Sequence, residues 1–204
     1  MIPPVEAVVF DVGRVLVQWD LRFLFGKLID NPARLEWFVT TVVTPEWHFQ
    51  HDAGRPLDEM IPERIAQFPE CTDLIEAYRQ RFGETIPGAI PGSLELVEAL
   101  AARGVPLYAI TNFGAEFWAP FRAEWPVFDQ FRDIVVSGVE RIAKPDAAIY
   151  ALAARRFGHA PEAMLFIDDN AENIAAAQAC GWQVHHFVDA ARLAADLRAR
   201  RLLG

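Results

Sequence analysis

Short apolar segments alternate with helical segments along much of this chain, and few folds accommodate that order. The segment Val5–Phe10 is mostly apolar, and half of its residues are β-branched, as expected of a buried strand. Similar runs occur at 105–110, 134–137, 164–167 and 183–187. From about residue 93 onward, the intervening stretches have helical apolar spacing, and three of them end near a glycine, at Gly104, Gly158 and Gly181. Strands that alternate with helices predict a parallel sheet covered by helices on both faces.

Residues 15–88 interrupt this alternation. Helical spacing of apolar residues recurs there without a convincing strand, at Leu21–Ile29, Leu35–Val43, Leu57–Phe68 and Leu74–Phe82. Prolines at positions 32, 45, 56, 62 and 69 divide the stretch. The sequence therefore predicts an α/β protein in which residues 1–14 and 89–204 form a core domain and residues 15–88 form an inserted helical domain.

Length and charge exclude several functional classes. A chain of 204 residues, 52% of them apolar, fits one domain or one domain with a smaller insert. The 28 acidic residues outnumber the 19 basic ones, so a net charge of −9 disfavours binding to nucleic acid or to an anionic membrane surface. No apolar run approaches the roughly 18 residues of a membrane span, and the first residues lack the positive charge of a signal peptide. We therefore expect a cytoplasmic protein, either a monomer or a homodimer.

Polar residues follow the predicted strands, at the places where parallel sheets bind ligands. These residues are Asp11, Thr111, Asn112, Lys144, Asp168, Asp169 and Asn170. Each type has an ordinary explanation by itself, because an aspartate can close a turn, a threonine can cap a helix and a lysine can be a surface charge. If these side chains meet at one edge of a sheet, their acidic, basic and hydroxyl groups can instead act together on one ligand.

Carboxylates gathered at one sheet edge repel one another and raise each other's pKa unless a cation lies between them. Their oxygens suit Mg²⁺, which commonly combines one or two carboxylates with substrate phosphate. Lys144 stands out in the composition, because the chain has 17 arginines and only two lysines. A lysine ammonium is a compact and flexible partner for phosphate. These residue types together indicate a phosphate site with a magnesium ion.

The order of these residues resembles that of a known enzyme family. Four short motifs, Val8–Gly13, Ile110–Asn112, Lys144–Pro145 and Phe166–Asn170, are similar in order and spacing to the four motifs of the haloacid dehalogenase-like (HAD) hydrolase superfamily. The resemblance covers the whole chain, and residues 15–88 fall where that family places its cap. It implies a Rossmann-like parallel sheet core with an inserted α-helical cap.

The resemblance also implies roles for individual residues. Asp11 would be the nucleophile of an aspartyl-phosphate intermediate, Thr111 would hold phosphoryl oxygens, and Lys144 would offset their charge. The implied Mg²⁺ ligands are Asp11, the carbonyl of Gly13, Asp169 and Asp168. Asp168 would either bind the ion directly or contact a residue that does. The expected substrate contacts are Arg14, Asn112, Trp47 and His51.

The stretch 46–55 of the predicted cap has two interpretations. It contains Trp47, His48, His51 and Arg55, which would either overhang the site and contact the leaving group of the substrate or serve cap packing and solvation. The residue types do not decide between the two.

Gly13 departs from the common pattern of the family, whose phosphatases mostly have a second aspartate there to protonate the leaving group. Glycine cannot transfer a proton, and general acid catalysis is typically worth about 10²–10⁴-fold in rate. A 2-haloacid dehalogenase, which also lacks that aspartate, and a catalytically weak binding module therefore stay open as alternatives. Because the dehalogenase branch has serines in place of Asp168 and Asp169, we favour a magnesium-dependent phosphatase acting on a small phosphorylated metabolite.

Overall fold

Five parallel strands form a single sheet in the described part of the chain. The computed structural model describes residues 3–204, so residues 1 and 2 of the predicted segment 1–14 lie outside the described residues. The strands are β1 (Ala7–Phe10), β2 (Leu107–Thr111), β3 (Asp133–Val136), β4 (Met164–Asp168) and β5 (Gln183–His186). They lie side by side in the order β3-β2-β1-β4-β5. Each strand overlaps one predicted apolar run, and the predicted α/β fold with a parallel sheet is confirmed.

Helices connect the strands and cover the sheet. They are α1 (Leu21–Phe25), α2 (Pro32–Trp37), α3 (Pro45–Asp52), α4 (Leu57–Gln67), α5 (Thr72–Arg81), α6 (Ser93–Ala102), α7 (Ala115–Ala123), α8 (Ser137–Glu140), α9 (Ala147–Phe157), α10 (Ala171–Ala179) and α11 (Ala190–Ala199). A π-helical turn, Phe38–Val42, continues α2. Within residues 3–204, no helix has both the length and the apolar character that crossing a membrane requires.

The register of the central strands brings their carboxyl ends level. Phe10, the last residue of β1, pairs with Ala109 of β2 and with Ile167 of β4. The chain runs outward from β1 through β2 to β3 and then crosses to the other side of β1 for β4 and β5. Such a change of direction leaves a crevice at the carboxyl ends of an open parallel sheet, where ligands bind. The residues at the ends of β1, β2 and β4 therefore share this edge.

The side chains of β1 alternate between two apolar clusters. Val8 and Phe10 belong to a cluster that continues into helices between β1 and α6, whereas Ala7 and Val9 belong to a cluster shared with α9 and α10. Because both faces of the sheet are covered, its central strands are continuous apolar runs. The division of the chain into core and cap domains stays a prediction, since one apolar cluster joins the predicted cap to the sheet.

Helices α1–α5 occupy the predicted insert, and no strand occurs within residues 21–85. Thr44 caps α3 with its side chain, and a proline fills the first turn of this helix. Pro62 lies inside α4, within the segment Leu57–Phe68 for which the sequence predicts helical spacing. The helix continues through this proline since its neighbours Met60 and Ile61 are buried in the apolar core, which offsets the lost backbone hydrogen bond.

Gly114, immediately before α7, allows α3 to approach the loop after β2 closely. An added Cβ at this position would overlap the imidazole ring of His51. We expect Gly114→Ala to lower the free energy of unfolding by about 1–3 kcal/mol through overpacking, as measured by urea denaturation. Gly83→Ala is the matched control, because a Cβ there meets no atom within 4 Å. Equal losses in the two variants would refute the close contact.

Candidate active site

Lys144 lies between two carboxylates at the carboxyl edge of the sheet. Its Nζ is 2.8 Å from Asp11 Oδ1 and 2.7 Å from Asp168 Oδ2, and all three residues are buried. Burial lowers the pKa of Lys144, but the two carboxylates raise it, and the pKa lies above its usual value. Lys144 is therefore an ammonium ion in the folded protein, and residues from three distant motifs meet at one point.

Asp168 has both of its carboxylate oxygens engaged by donors. Besides the Lys144 ammonium, Oδ1 accepts a hydrogen bond from the Asn170 N–H at 2.8 Å. Asn173 Nδ2 lies 3.1 Å from Oδ1 and 3.0 Å from Oδ2. This arrangement fits a residue that orients Lys144. Asp169 is then the carboxylate of the two that is freer to bind a metal ion.

Asp11, Asp168 and Asp169 form a carboxylate cluster that could hold a metal ion. One oxygen from each lies within 4.8 Å of the others, and hard oxygen donors of this kind fit Mg²⁺. Burial raises the pKa of Asp11 to about 7, with Lys144 lowering it and Asp168 raising it further. Burial and Asp168 also raise the pKa of Asp169. A bound cation would offset this repulsion. Gly13 lines the adjacent cavity, and its role as a carbonyl ligand stays a prediction.

Thr111 and Asn112 lie at the end of β2, at the same edge. The Thr111 hydroxyl is buried and has no hydrogen-bond partner within residues 3–204, so it can bond to a ligand oxygen. The Asn112 amide instead binds the backbone of Lys144, donating to its carbonyl at 3.0 Å and accepting from its N–H at 2.9 Å. Asn112 therefore positions Lys144, although its side chain also lines the cavity.

A cavity of about 270 Å³ lies against the carboxylate cluster. Part of its lining is polar and includes Asp11, Gly13, Arg14, Asn112, Asp169 and Asn170. Another part is apolar and includes Trp19, Pro45, Phe49, Phe82, Ile86 and Phe113. His48 and Asp52 also line it. The cavity thus combines a site for a charged group with a site for hydrocarbon.

A comparison with known proteins identifies the family of this chain. A family model described as haloacid dehalogenase-like hydrolase matches residues 5–181. The chain belongs to this family. The resemblance of its four motifs is thereby confirmed, together with the Rossmann-like core that the resemblance implied.

Two curated relatives of this HAD-like hydrolase are phosphatases. The sesquiterpene phosphatase astK of Aspergillus oryzae is 28% identical over 98% of this chain and 97% of its own length. The phosphoglycolate phosphatase of Escherichia coli is 30% identical over 62% of this chain, and the alignment spans only 50% of that relative. The predicted assignment to the HAD-family phosphatases is confirmed by these relatives.

Solved structures of the family share the fold. A HAD family enzyme from Bacteroides thetaiotaomicron, solved as a magnesium complex, has a TM-score of 0.70 at 17% identity, covering 92% of this chain and 95% of its own. The L-2-haloacid dehalogenase of Xanthobacter autotrophicus has a TM-score of 0.64 at 18% identity, covering 98% of this chain and 85% of its own. At these identities the likeness establishes the fold and does not distinguish phosphatase from dehalogenase chemistry.

Two predicted substrate contacts of this HAD-like hydrolase lie outside the cavity. Trp47 is buried against Tyr78, with ring centroids 5.0 Å apart. His51 packs against Phe117, with ring centroids 4.9 Å apart, and its Nδ1 lies 2.9 Å from the carbonyl oxygen of Arg55. Neither Trp47 nor His51 lines the cavity, so the structure does not support substrate contact by either residue.

Helical periodicity explains this correction. Helix α3 starts at residue 45, so positions 45, 48, 49 and 52 share the face that lines the cavity. Trp47 and His51, four residues apart, lie on another face, and both are buried. The sequence pattern indicates that this segment lies near the site, but it does not show which face of the helix lines the cavity. It also gives no indication that Asp52 lies there. The pair Thr44–Pro45, a helix cap followed by proline, is the signal that could have located the helix.

Proposed function

We propose that this HAD-like hydrolase is a magnesium-dependent phosphatase that works through an aspartyl-phosphate on Asp11. The observation that carries the proposal is the Lys144 ammonium between the Asp11 and Asp168 carboxylates. A phosphoryl group that binds next to Asp11 brings negative charge to this place. A fixed ammonium stabilises that charge most where it increases during the reaction.

The chemistry has two steps on the same phosphorus atom. First an Asp11 oxygen attacks phosphorus and the ester oxygen leaves; then water attacks phosphorus and the Asp11 carboxylate is released with inorganic phosphate. The Thr111 hydroxyl would hold a phosphoryl oxygen, and Lys144 would balance charge in both steps. Bound by Asp11, Asp169 and the Gly13 carbonyl, Mg²⁺ would supply Lewis-acid polarisation of the phosphate.

The acidic residues near Asp11 favour a phosphate ester over a 2-haloacid. Dehalogenation of a 2-haloacid proceeds without a metal, and Asp168 and Asp169 would then repel the carboxylate of that substrate. A phosphate ester instead binds together with the cation that these carboxylates attract. A 2-haloacid dehalogenase would release chloride without added metal, and a binding module would release no phosphate from any ester.

The apolar lining of the cavity supports an apolar leaving group. Trp19, Phe49, Phe82 and Phe113 contribute aromatic surface to it, and the Arg14 guanidinium lies 5.0 Å from the centre of the Trp19 ring. The relative that aligns over nearly its full length, astK, is a sesquiterpene phosphatase. We therefore propose that the substrate is a small phosphate monoester of a hydrocarbon-rich alcohol.

Phosphate release from geranyl phosphate and from phosphoglycolate tests this function. We expect kcat/KM to be at least about tenfold higher for geranyl phosphate, because each buried methylene contributes roughly 1–3 kcal/mol of discrimination. After dialysis against EDTA we expect only background release, with activity restored by magnesium alone. Full activity in EDTA would disprove the metal assignment, and preference for phosphoglycolate would disprove the substrate class.

A further inference from the structure

A buried chain of hydrogen bonds connects α5 and α3 to the cavity wall. His48 Nδ1 lies 2.7 Å from the Tyr78 hydroxyl, and His48 Nε2 lies 3.1 Å from Asp52 Oδ2. The His48 ring also stacks on Trp19 and Phe82, with centroid separations of 4.8 and 5.6 Å. These contacts fix the orientation of His48 and, through it, that of the Asp52 carboxylate.

The backbone of Asp52 is tied to the catalytic edge of the sheet. Its carbonyl accepts a hydrogen bond from Ser137 Oγ at 2.6 Å, and the same Oγ accepts one from the Phe113 N–H at 3.0 Å. Ser137 follows β3 directly, and Phe113 follows the Thr111–Asn112 motif. The end of α3 is therefore held against two loops that form this edge.

The Asp52 carboxylate has one unused oxygen. Oδ1 is buried and has no hydrogen-bond partner within residues 3–204, whereas Oδ2 faces His48. Leaving a buried polar atom unpaired costs about 1–3 kcal/mol, so such an atom calls for an explanation. Asp52 and Asp11 line the same cavity, so a ligand bound there lies next to the residue that carries this unpaired oxygen.

The proposed reaction needs a proton donor that Gly13 cannot supply. Among the cavity-lining residues outside the carboxylate cluster, His48 and Asp52 have side chains of the types that serve as general acids and bases in enzymes. Both ring nitrogens of His48 are engaged, by Tyr78 and by Asp52. Asp52 Oδ1 is the one atom of the His48–Asp52 pair without a hydrogen-bond partner in the described part of the chain.

We propose that Asp52 is the general acid and base of this enzyme, with His48 and Tyr78 as its positioning residues. This assignment rests on the proposed phosphatase function. In the first step, Asp52 Oδ1 gives its proton to the ester oxygen while the bond from that oxygen to phosphorus breaks and the Asp11–phosphorus bond forms. In the second step, Asp52 takes a proton from the attacking water while the Asp11–phosphorus bond breaks. The products are an alcohol and inorganic phosphate, and Asp52 is protonated again.

The dependence of rate on the leaving group tests the assignment. We expect Asp52→Asn to lower kcat/KM for butyl phosphate by about 10²–10⁴-fold, because an alkoxide needs a proton as it leaves. The same variant should change kcat/KM for p-nitrophenyl phosphate little, because nitrophenolate leaves without one and kcat/KM does not include the later attack of water. A purely structural role of Asp52 would slow both esters equally, and that result would overturn the proposal.

Further variants protect this test against a folding defect. Tyr78→Phe removes only the hydroxyl that holds His48, and it should cause a smaller loss that is again selective for butyl phosphate. Gly13→Asp added to Asp52→Asn should restore part of the butyl phosphate activity, because a side chain at position 13 meets no atom within 4 Å of its Cβ. An unchanged ratio of the two esters in both variants would contradict the role of Asp52.

The same data separate failure of this assignment from failure of the proposed function. If the unmodified enzyme with magnesium hydrolyses neither ester, the phosphatase function is wrong. If it hydrolyses both and Asp52→Asn shows no selective loss, the phosphatase function stands and only the assignment of Asp52 is wrong.

Discussion

Asp11→Asn should reduce phosphate release by about 10⁴-fold or more, the scale expected when the nucleophile of a covalent mechanism is removed. An amide cannot attack phosphorus in place of the carboxylate. The substitution keeps the size of the side chain and an oxygen that can accept the hydrogen bond from the Val12 N–H, which is 2.7 Å from Asp11 Oδ1. We therefore expect a folded protein without turnover, as measured by phosphate release and by thermal unfolding.

Asp20→Asn is the matched control for this variant. Asp20 caps α1 by accepting from the Arg22 N–H at 2.8 Å, and asparagine is an equally good helix cap. The Asp20→Asn variant should retain the activity of the unmodified enzyme. If Asp11→Asn kept activity within about tenfold of that enzyme, a difference of only 1.4 kcal/mol, another group would have to be the nucleophile.

Lys144→Met should destabilise the fold as well as abolish activity. The substitution leaves two buried carboxylates, Asp11 and Asp168, without their shared cation. Removing one partner of a buried ion pair lowers the free energy of unfolding by about 3–5 kcal/mol. Methionine approximates the length of the lysine side chain, so lost packing contributes little. For a chain of this size we expect the unfolding midpoint to fall by roughly 6–20 °C, measured in EDTA so that bound metal does not compensate.

The second lysine of the chain provides the control. Lys27 Nζ lies 2.9 Å from Glu84 Oε2 in a pair that is exposed to solvent, and exposed pairs contribute at most about 1 kcal/mol. Lys27→Met should therefore unfold within a few degrees of the unmodified protein and keep its activity. A Lys144→Met variant as stable as Lys27→Met would show that Lys144 is not the counter-charge of the buried carboxylates.

The strands and the residues at their ends follow from the sequence because local physics determines them. A strand buried on both faces has to be a continuous apolar run, as Met164–Ile167 is, and a polar residue directly after it has to lie at the carboxyl edge. Parallel register then brings Asp11 and Asp168 together whatever the length of chain between them. Register does not place Lys144 in the same way, because Lys144 comes eight residues after β3 and β3 adjoins neither β1 nor β4. Its position beside Asp11 was implied by the resemblance to the family.

The cavity wall was not predictable in the same way. Whether Trp47 or His48 faces the cavity depends on where α3 begins, and a shift of one residue turns the helix by about 100°. The hydrogen bond between His48 and Tyr78 joins two helices whose packing is set by the apolar interior, not by their own residue patterns. Asp52 gives no signal in the sequence, because an isolated aspartate near a helix end usually faces solvent.

Mass spectrometry of the acid-quenched enzyme tests the central claim most directly. Enzyme in excess is mixed with magnesium and p-nitrophenyl phosphate, stopped at successive times and digested. We predict that one phosphoryl group appears on the peptide that contains Asp11, that it disappears as inorganic phosphate forms, and that it is absent from Asp11→Asn. Release of phosphate with the phosphoryl group on another residue, or at a full rate in Asp11→Asn, would contradict Asp11 as the nucleophile.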